Sequence, residues 1–513
     1  MNLLKAPWIP VRADGGTGAF CLLTYQQLLC EPGNWQVSLP RDDLELACVQ
    51  LLVCMTQVMF LPEDDKTLRA RISKTLSLAE FSAGIKPCLD WFDLDHPTQP
   101  FMQSRGVKGE WTSIQKLLPG LPEKTSKSES AHCFFNEATE IERVGGCIAA
   151  IALFNQASNA PSFGGGPGGG YKGGLRGNSP ITTLVYGKDL RETIWRNVLT
   201  RFRMEARQIA MPGFELDQPT WVKPILEKAT IPWNEIGLMR GLFWQPARVE
   251  LVKAEGIAPC GILGEEATGY VGFLKQPFGF SVKGVWPHPH GAMTMTLKKG
   301  ELEQRFASFT TTALAWTQLS EFVVPKNIND GDAKEGSLPA GPVAQANELA
   351  DGPLRLLVGG YRTNQASVLE RRHEMISLAQ GWQDDRGRLP KLVEIGKEAK
   401  KALYGKLLLA SKGYENKKKQ IKLKGIGAAI HETAEKLFYA RTESLIHETF
   451  SNEDTFSQWA VARKSFAKQM ADHCRAIFEE LTDPYAMKPE LIPVIAWARH
   501  SMNIDLAKLM EEA

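Results

Sequence analysis

The chain has 513 residues, 43% hydrophobic and 23% charged, with a formal net charge of +2. This is the composition of a soluble globular protein, and the length calls for two or three domains rather than one core. So small a net charge does not itself announce a nucleic-acid partner; only a local concentration of charge could.

The first residues, Met1 to Trp8, lack a charged stretch followed by an apolar one, so no signal peptide is expected and a cytoplasmic location is. Asp42 and Asp43 are placed to cap the apolar run behind them, where a carboxylate meets free amides. That run, Leu44 to Leu61, carries Glu45, Gln50, Thr56 and Gln57, too many polar groups for a membrane span; it predicts a buried core helix and no membrane association. Cysteines stand at 21, 30, 48, 54, 88, 133, 147, 260 and 474 without a Cys-x-x-Cys pair, a pattern of reduced, buried thiols and no metal site.

From Phe163 to Gly177, nine of fifteen residues are glycine. Glycine lets backbone approach a ligand with no Cβ in the way, and Lys172 and Arg176 add charges suited to phosphates. The same composition also suits a flexible linker. Against that, apolar flanks at Ile151–Gln156 and Ile181–Tyr186 should anchor both ends. Ala247–Val252 and Met293–Leu297 have the alternation or β-branching of strands. His288 and His290 have no cysteine or acidic cluster nearby, which favours turn or packing roles over metal binding.

Gly359-Gly360-Tyr361-Arg362-Thr363-Asn364-Gln365-Ala366-Ser367 is a polar tip, and Ser367–Arg372 looks like the opening of a helix. Amide side chains there could read base edges or replace a broken pair's hydrogen bonds; the plainer reading is an ordinary helix N-terminus. The polar stretch Trp382–Pro390 divides a mixed α/β domain (1–382) from a helical one (390–513). Ten lysines lie between Lys397 and Lys424 against Glu398 and Glu415, a positive surface or simply a solvated one. Beyond them, Ile430, Ala434, Leu437, Phe438, Ala440 and Leu445 form one helical stripe. Phe456, Trp459, Phe466, Met470, His473 and Ile477 form another, and Pro489 opens a last helix. An antiparallel four-helix bundle is the expected result, giving an α+β fold class overall.

No catalytic constellation stands out. His431-Glu432-Thr433-Ala434-Glu435 lacks the second histidine of a zinc-protease helix, and no Gly-x-x-x-x-Gly-Lys-Ser/Thr loop is present. The competing enzyme reading is a nuclease or nucleotide hydrolase cradling phosphates in the glycine loop.

Three segments together resemble the large subunit of type I-E CRISPR Cascade, the CasA family. They are Leu39-Pro40-Arg41-Asp42-Asp43; Ala152-Leu153-Phe154-Asn155-Gln156 leading into Phe163-Gly164-Gly165-Gly166; and Gly360–Ser367 with Leu369-Glu370-Arg371-Arg372-His373. Arg240–Ala247 and His431–Glu435 match as well, so the likeness covers essentially the whole chain.

The resemblance implies a non-catalytic subunit without cofactor. Its partners would be the crRNA 5′ handle, other Cascade subunits, PAM-containing duplex DNA and the recruited helicase-nuclease. It places PAM contacts on Phe163, Gly164, Gly165 and Gly166, and a strand-separating wedge on Asn364, Gln365 and Ala366. It further places displaced-strand contacts on Lys298 and Lys299, and contacts to the crRNA handle and neighbouring subunits on Phe134 and Asn136. Three departures stand out. The glycine loop is longer by about four residues, Pro167 to Gly170. The family's minor-groove lysine has only Lys275 as a candidate, two residues from its register. Of the paired cysteines that hold zinc in some relatives, only Cys147 and Cys260 remain nearby, so no metal is expected.

Overall fold

A computed structural model describes residues 1–121, 140–166, 169–277, 279–298, 300–311, 313–328, 335–349, 352–416 and 421–513. The architecture is α+β, as composition and patterning predicted. The chain packs as two units: one of Met1–Thr311, Pro325–Leu349 and Leu356–Met375, the other of Thr312–Val324, Ala350–Arg355 and Ile376–Ala513.

In the first unit, the expected core helix runs from Asp42 to Met59 with nearly every residue buried. It packs against the equally apolar helix Gly146–Ser158. Helices apolar on all sides must be enclosed; the helix Leu190–Asn197 covers the first of these, and the strand Gly269–Gln276 lies against the second. Among the described residues, no helix is long and apolar enough to cross a membrane.

Three sheets matter for the site. Strand Gly269–Gln276 lies between Arg248–Lys253 and Glu110–Ser113, antiparallel to both. Met293–Lys298 lies between Glu301–Phe306 and Glu335–Leu338. Leu354–Asn364 lies between Ser367–Leu378 and Thr182–Val185. The two sequence-predicted strands therefore form, at Arg248–Lys253 and Met293–Lys298.

The predicted helix at Ser367 does not form. Ser367–Leu378 is a strand, joined to Leu354–Asn364 by the two-residue turn Gln365-Ala366. The charges that resembled a helix opening are paired within this hairpin instead: Arg362 with Glu370 at 2.9 Å, and Arg372 with Glu370 at 3.1 Å. Two-residue hairpin loops favour Asn-Gly or Gly-rich pairs, and Gln-Ala carries neither signal. Gln365 nonetheless sits at φ +55°, a left-handed conformation unusual for a residue with a Cβ.

The second unit contains four long helices: Arg388–Lys412, Ile430–Ser451, Trp459–Ala486 and Ile492–Glu512. The first of them packs on each of the other three. Ile430, Ala434, Phe438, Leu445, Phe456, Phe466, Met470 and Ile477 are buried, as the stripes predict, whereas Leu437, Trp459 and His473 are half-buried and Ala440 is exposed.

Candidate nucleic-acid interface

The glycine run begins where the Gly146–Ser158 helix ends. Phe163 is buried, its ring 5.5 Å from those of both Phe273 and Tyr171. The amide of Tyr171 donates to the carbonyl of Gly164 at 2.9 Å, closing the loop's base. Above it, Gly165–Gly166 pairs antiparallel with Gly169–Gly170. The run is thus a glycine hairpin, with Gly169 and Gly170 as its return strand. Gly164 has φ +86°, where any other residue would be strained, and a Cβ on Gly165 would meet open space.

The charges near this hairpin are not those the sequence suggested. Arg176 is buried, not turned to solvent, and donates to Thr182 Oγ1 (2.9 Å), Asn159 Oδ1 (2.6 Å) and the Ser158 carbonyl (2.9 Å). Burial lowers its pKa to about 9. Lys172 donates to the Phe280 carbonyl and lies 5.2 Å from that ring's centre. Lys275 is the cation at the loop's base. Its ammonium lies 5.2 Å from the Phe163 ring centre and 5.5 Å from that of Tyr171, within cation–π range of both.

The turn Gln365-Ala366 lies against the same loop. A Cβ built on Gly164 would stand 3.5 Å from the Cβ of Ala366. Asn364 and Gln365 are exposed at this tip. Behind it, Arg372 donates to the Thr311 carbonyl at 3.0 Å and covers the Phe309 ring. Burial alone would raise the pKa of Glu370, but its hydrogen bonds from Arg362 and Arg372 outweigh this and lower it.

One buried polar chain ties the roots of both tips. Asn155 Nδ2 donates to the Tyr361 hydroxyl at 2.6 Å, which donates to Asp43 Oδ2 at 2.9 Å. Arg41 grips Asp43 through Nε (3.0 Å) and Nη2 (2.8 Å). From Asn155 Oδ1 the chain continues to Asn159 (3.2 Å), and so to Arg176. Sequence reasoning read Asp42 and Asp43 as helix caps. Both carboxylates do accept from first-turn amides, Asp42 Oδ1 from that of Asp43 at 2.9 Å and Asp43 Oδ1 from that of Leu44 at 3.1 Å, although the N-cap position itself is Arg41; Asp43 is held besides by Arg41 and Tyr361. Burial and the adjacent Asp43 push the Tyr361 hydroxyl pKa far up, so it stays a donor.

Lys298 ends a strand of a different sheet, where it forms an exposed 2.7 Å ion pair with Glu303. Lys299, Phe134, Asn136 and Pro167 lie outside the described residues. His288 and His290 are buried, their rings 5.2 Å apart, with His288 packed on Trp286. Burial and the charges of Arg176 and Arg207 lower the pKa of His290 to about 3. His431 packs on Tyr404. Among the described residues, no group of three or more His, Cys, Asp or Glu is placed to hold a metal.

Residues 2–477 match the family model for CRISPR-associated protein Cse1. The fold is similar to the crystal structure of Thermobifida fusca Cse1 at 17% identity, with a TM-score of 0.74 over 100% of this chain and 98% of that one. CasA from Thermus thermophilus is similar at 19% identity, with a TM-score of 0.71 over 99% of each chain. A chain of a CRISPR RNA-guided surveillance complex matches at 16% identity, with a TM-score of 0.66 over 98% of this chain and 99% of that one. With the family model spanning nearly its whole length, the chain belongs to the Cse1 family, the CasA family that its motifs resemble.

Proposed function

We propose that this chain is the non-catalytic large subunit of a type I-E Cascade complex, reading the PAM and starting strand opening with the paired tips at Gly164 and Gln365. The observation that carries this reading is the apposition of a Cβ-free backbone hairpin and an exposed amide-bearing turn, with Lys275 at their base. Phe163 anchors the loop, while Gly164, Gly165 and Gly166 present bare backbone to the minor groove. Readout there is degenerate, because A·T and T·A display the same acceptors, so tolerance of several PAMs is expected. Lys275 adds a positive charge suited to the acceptor-lined groove.

Asn364, Gln365 and Ala366 form the wedge. Unstacking a base step costs about a few kcal/mol, which guide pairing offsets in a nearly balanced exchange. A rigid wedge fits that task, and the cross-strand Arg362–Glu370 pair and the Arg372 contacts stiffen this hairpin. In this reading Lys298 and Lys299 follow the displaced strand, and Phe134 and Asn136 meet the crRNA handle and neighbouring subunits. The displaced strand is then passed to the helicase-nuclease.

The test is Gln365→Ala in the assembled complex. R-loop formation should weaken on linear duplex and much less on negatively supercoiled DNA, where opening is assisted. Equal loss on both would remove the wedge role. Gly165→Asp, which places a side chain and a negative charge in the groove, should abolish PAM-dependent binding. Incubation of the chain with DNA, or with ATP and Mg²⁺, should give no turnover.

A further inference from the structure

The strand beside Lys275 carries a carboxylate that neither the glycine loop nor the wedge uses. Glu110–Ser113 pairs antiparallel with Gly269–Gln276, and the register sets Glu110 directly opposite Lys275. We infer, resting on the PAM reading proposed for this loop, that Glu110 is a specificity-determining residue. It restrains the Lys275 ammonium against phosphates in general, so that only a well-seated minor groove gains the full use of that charge.

The placement of Glu110 is fixed by close backbone approach. Gly109 passes so near the neighbouring strand that a Cβ there would overlap the Lys275 carbonyl oxygen. Gly272 lies under Trp111, whose Nε1 would be 2.6 Å from an added Cβ. A slip of one residue would put a side chain where Gly109 passes and carry Glu110 to the other face of the sheet.

Opposed residues on one face of an antiparallel pair have Cβ atoms about 5 Å apart. Phe273 and Thr112 are the next opposed pair on this face, and Phe273 packs on Phe163 at the root of the glycine loop. Glu110 is exposed, while the Lys275 ammonium stands 5.2 and 5.5 Å from the Phe163 and Tyr171 ring centres. The charge of Glu110 also reaches the Tyr171 hydroxyl. Burial first, and then Glu110, push its pKa up to about 12. One of the two rings beside the ammonium therefore lies in the field of the acid opposite it.

Two electrostatic effects on DNA result. Glu110 and Lys275 lie within a Debye length, about 8 Å at physiological salt, so dissolved ions do not hide one charge from the other. A passing phosphate meets a cation that is partly offset and a carboxylate that repels it. A seated minor groove instead brings base acceptors to the ammonium at contact distance. Setting a like charge against wrong partners is how a site gains discrimination while giving up some affinity. Glu110–Ser113 is also the edge strand of its sheet, and edges carry charge simply to deter pairing. That role alone would leave DNA discrimination untouched.

The test uses the assembled complex and linear duplexes that carry the guide's target beside randomised PAM positions. Glu110→Gln is a single exposed change of nearly equal shape, and circular dichroism should be unaltered. It should raise affinity for the poorest PAMs by roughly two- to fivefold, the worth of an exposed ion pair. Affinity for the best PAMs should rise less, so their ratio falls. On a poor PAM the slope of log K against log salt should steepen by about one, as Lys275 becomes free to release a counterion. Glu110→Asp should keep most of the original ratio. In a Lys275→Ala background, Glu110→Gln should change neither ratio nor slope, because the two residues act as one unit. An unchanged ratio in Glu110→Gln overturns the inference. So does an equal gain with Lys275 removed, which would make Glu110 a general repulsive charge. Gly165→Asp is measured alongside. If it leaves PAM-dependent binding intact, the PAM reading falls and the role of Glu110 with it. If it abolishes that binding while Glu110→Gln has no effect, only the role of Glu110 is removed.

Discussion

Gly164 and Ala366 are neighbours: a Cβ on the first would touch that of the second at 3.5 Å, although 202 positions separate them in the chain. Gly164 sits at φ +86° and Gly165 does not share that constraint. Gly164→Ala should therefore cost about 1–2 kcal/mol of stability through backbone strain. Gly165→Ala should change stability by less than about 0.5 kcal/mol yet weaken PAM-dependent binding. Urea unfolding and duplex titration on the same two variants separate strain from DNA approach.

Tyr361→Phe removes the hydroxyl between Asn155 and Asp43 without changing the ring. It leaves the buried Asn155 amide without its acceptor and Asp43 without one donor. Stranding buried polar groups costs about 1–3 kcal/mol, read as a lower urea midpoint at unchanged slope. Because the chain of bonds joins both tips, hydrogen exchange should quicken in the hairpin around Gln365. An unaltered midpoint would show that the link bears no strain.

His290 is buried and neutral, with a pKa lowered to about 3 from the ordinary 6.5. His288 is lowered as well, for the same reasons: burial first, then nearby positive charge. A depressed pKa means that acid protonates the unfolded state first. Stability is then full above pH 6.5 and falls as pH drops toward 3. The loss is up to about 1.4 kcal/mol per pH unit for each histidine. His290→Gln should remove one proton's worth of this slope, measured by urea unfolding between pH 7 and 5.

Lys298 and Glu303 are both about 60% exposed, so their ion pair adds little to stability. Lys298→Ala should shift unfolding by less than about 0.5 kcal/mol. If Lys298 follows the displaced strand, the same variant lowers the salt slope of R-loop binding by about one and leaves duplex binding unchanged. A stability loss without a slope change would make it merely structural.

The glycine-rich loop, the exposed Asn364-Gln365 tip and the helical periodicities could be read directly from the sequence. The hairpin beneath Gln365 could not, because its turn lacks glycine and asparagine and its charged strand, Glu370-Arg371-Arg372, imitates a helix opening. Its strand conformation comes from pairing with Leu354–Asn364 and from charges satisfied across that ladder. Arg176 misled for a related reason: an arginine in a polar loop suggests solvent or phosphate, but here Asn159 and Thr182 draw it inside.

What the sequence by itself determined were properties set by neighbours in the chain. Helical stripes, a Cβ-free stretch and a concentration of lysines follow from residue type and spacing alone. Which of these features meet was decided only by the tertiary structure. Lys275 over Phe163, Tyr361 between Asn155 and Asp43, and the Gln365 turn against Gly164 join residues far apart in the chain. No local pattern encodes such meetings, because they come from how distant apolar faces pack and how buried polar groups find their partners.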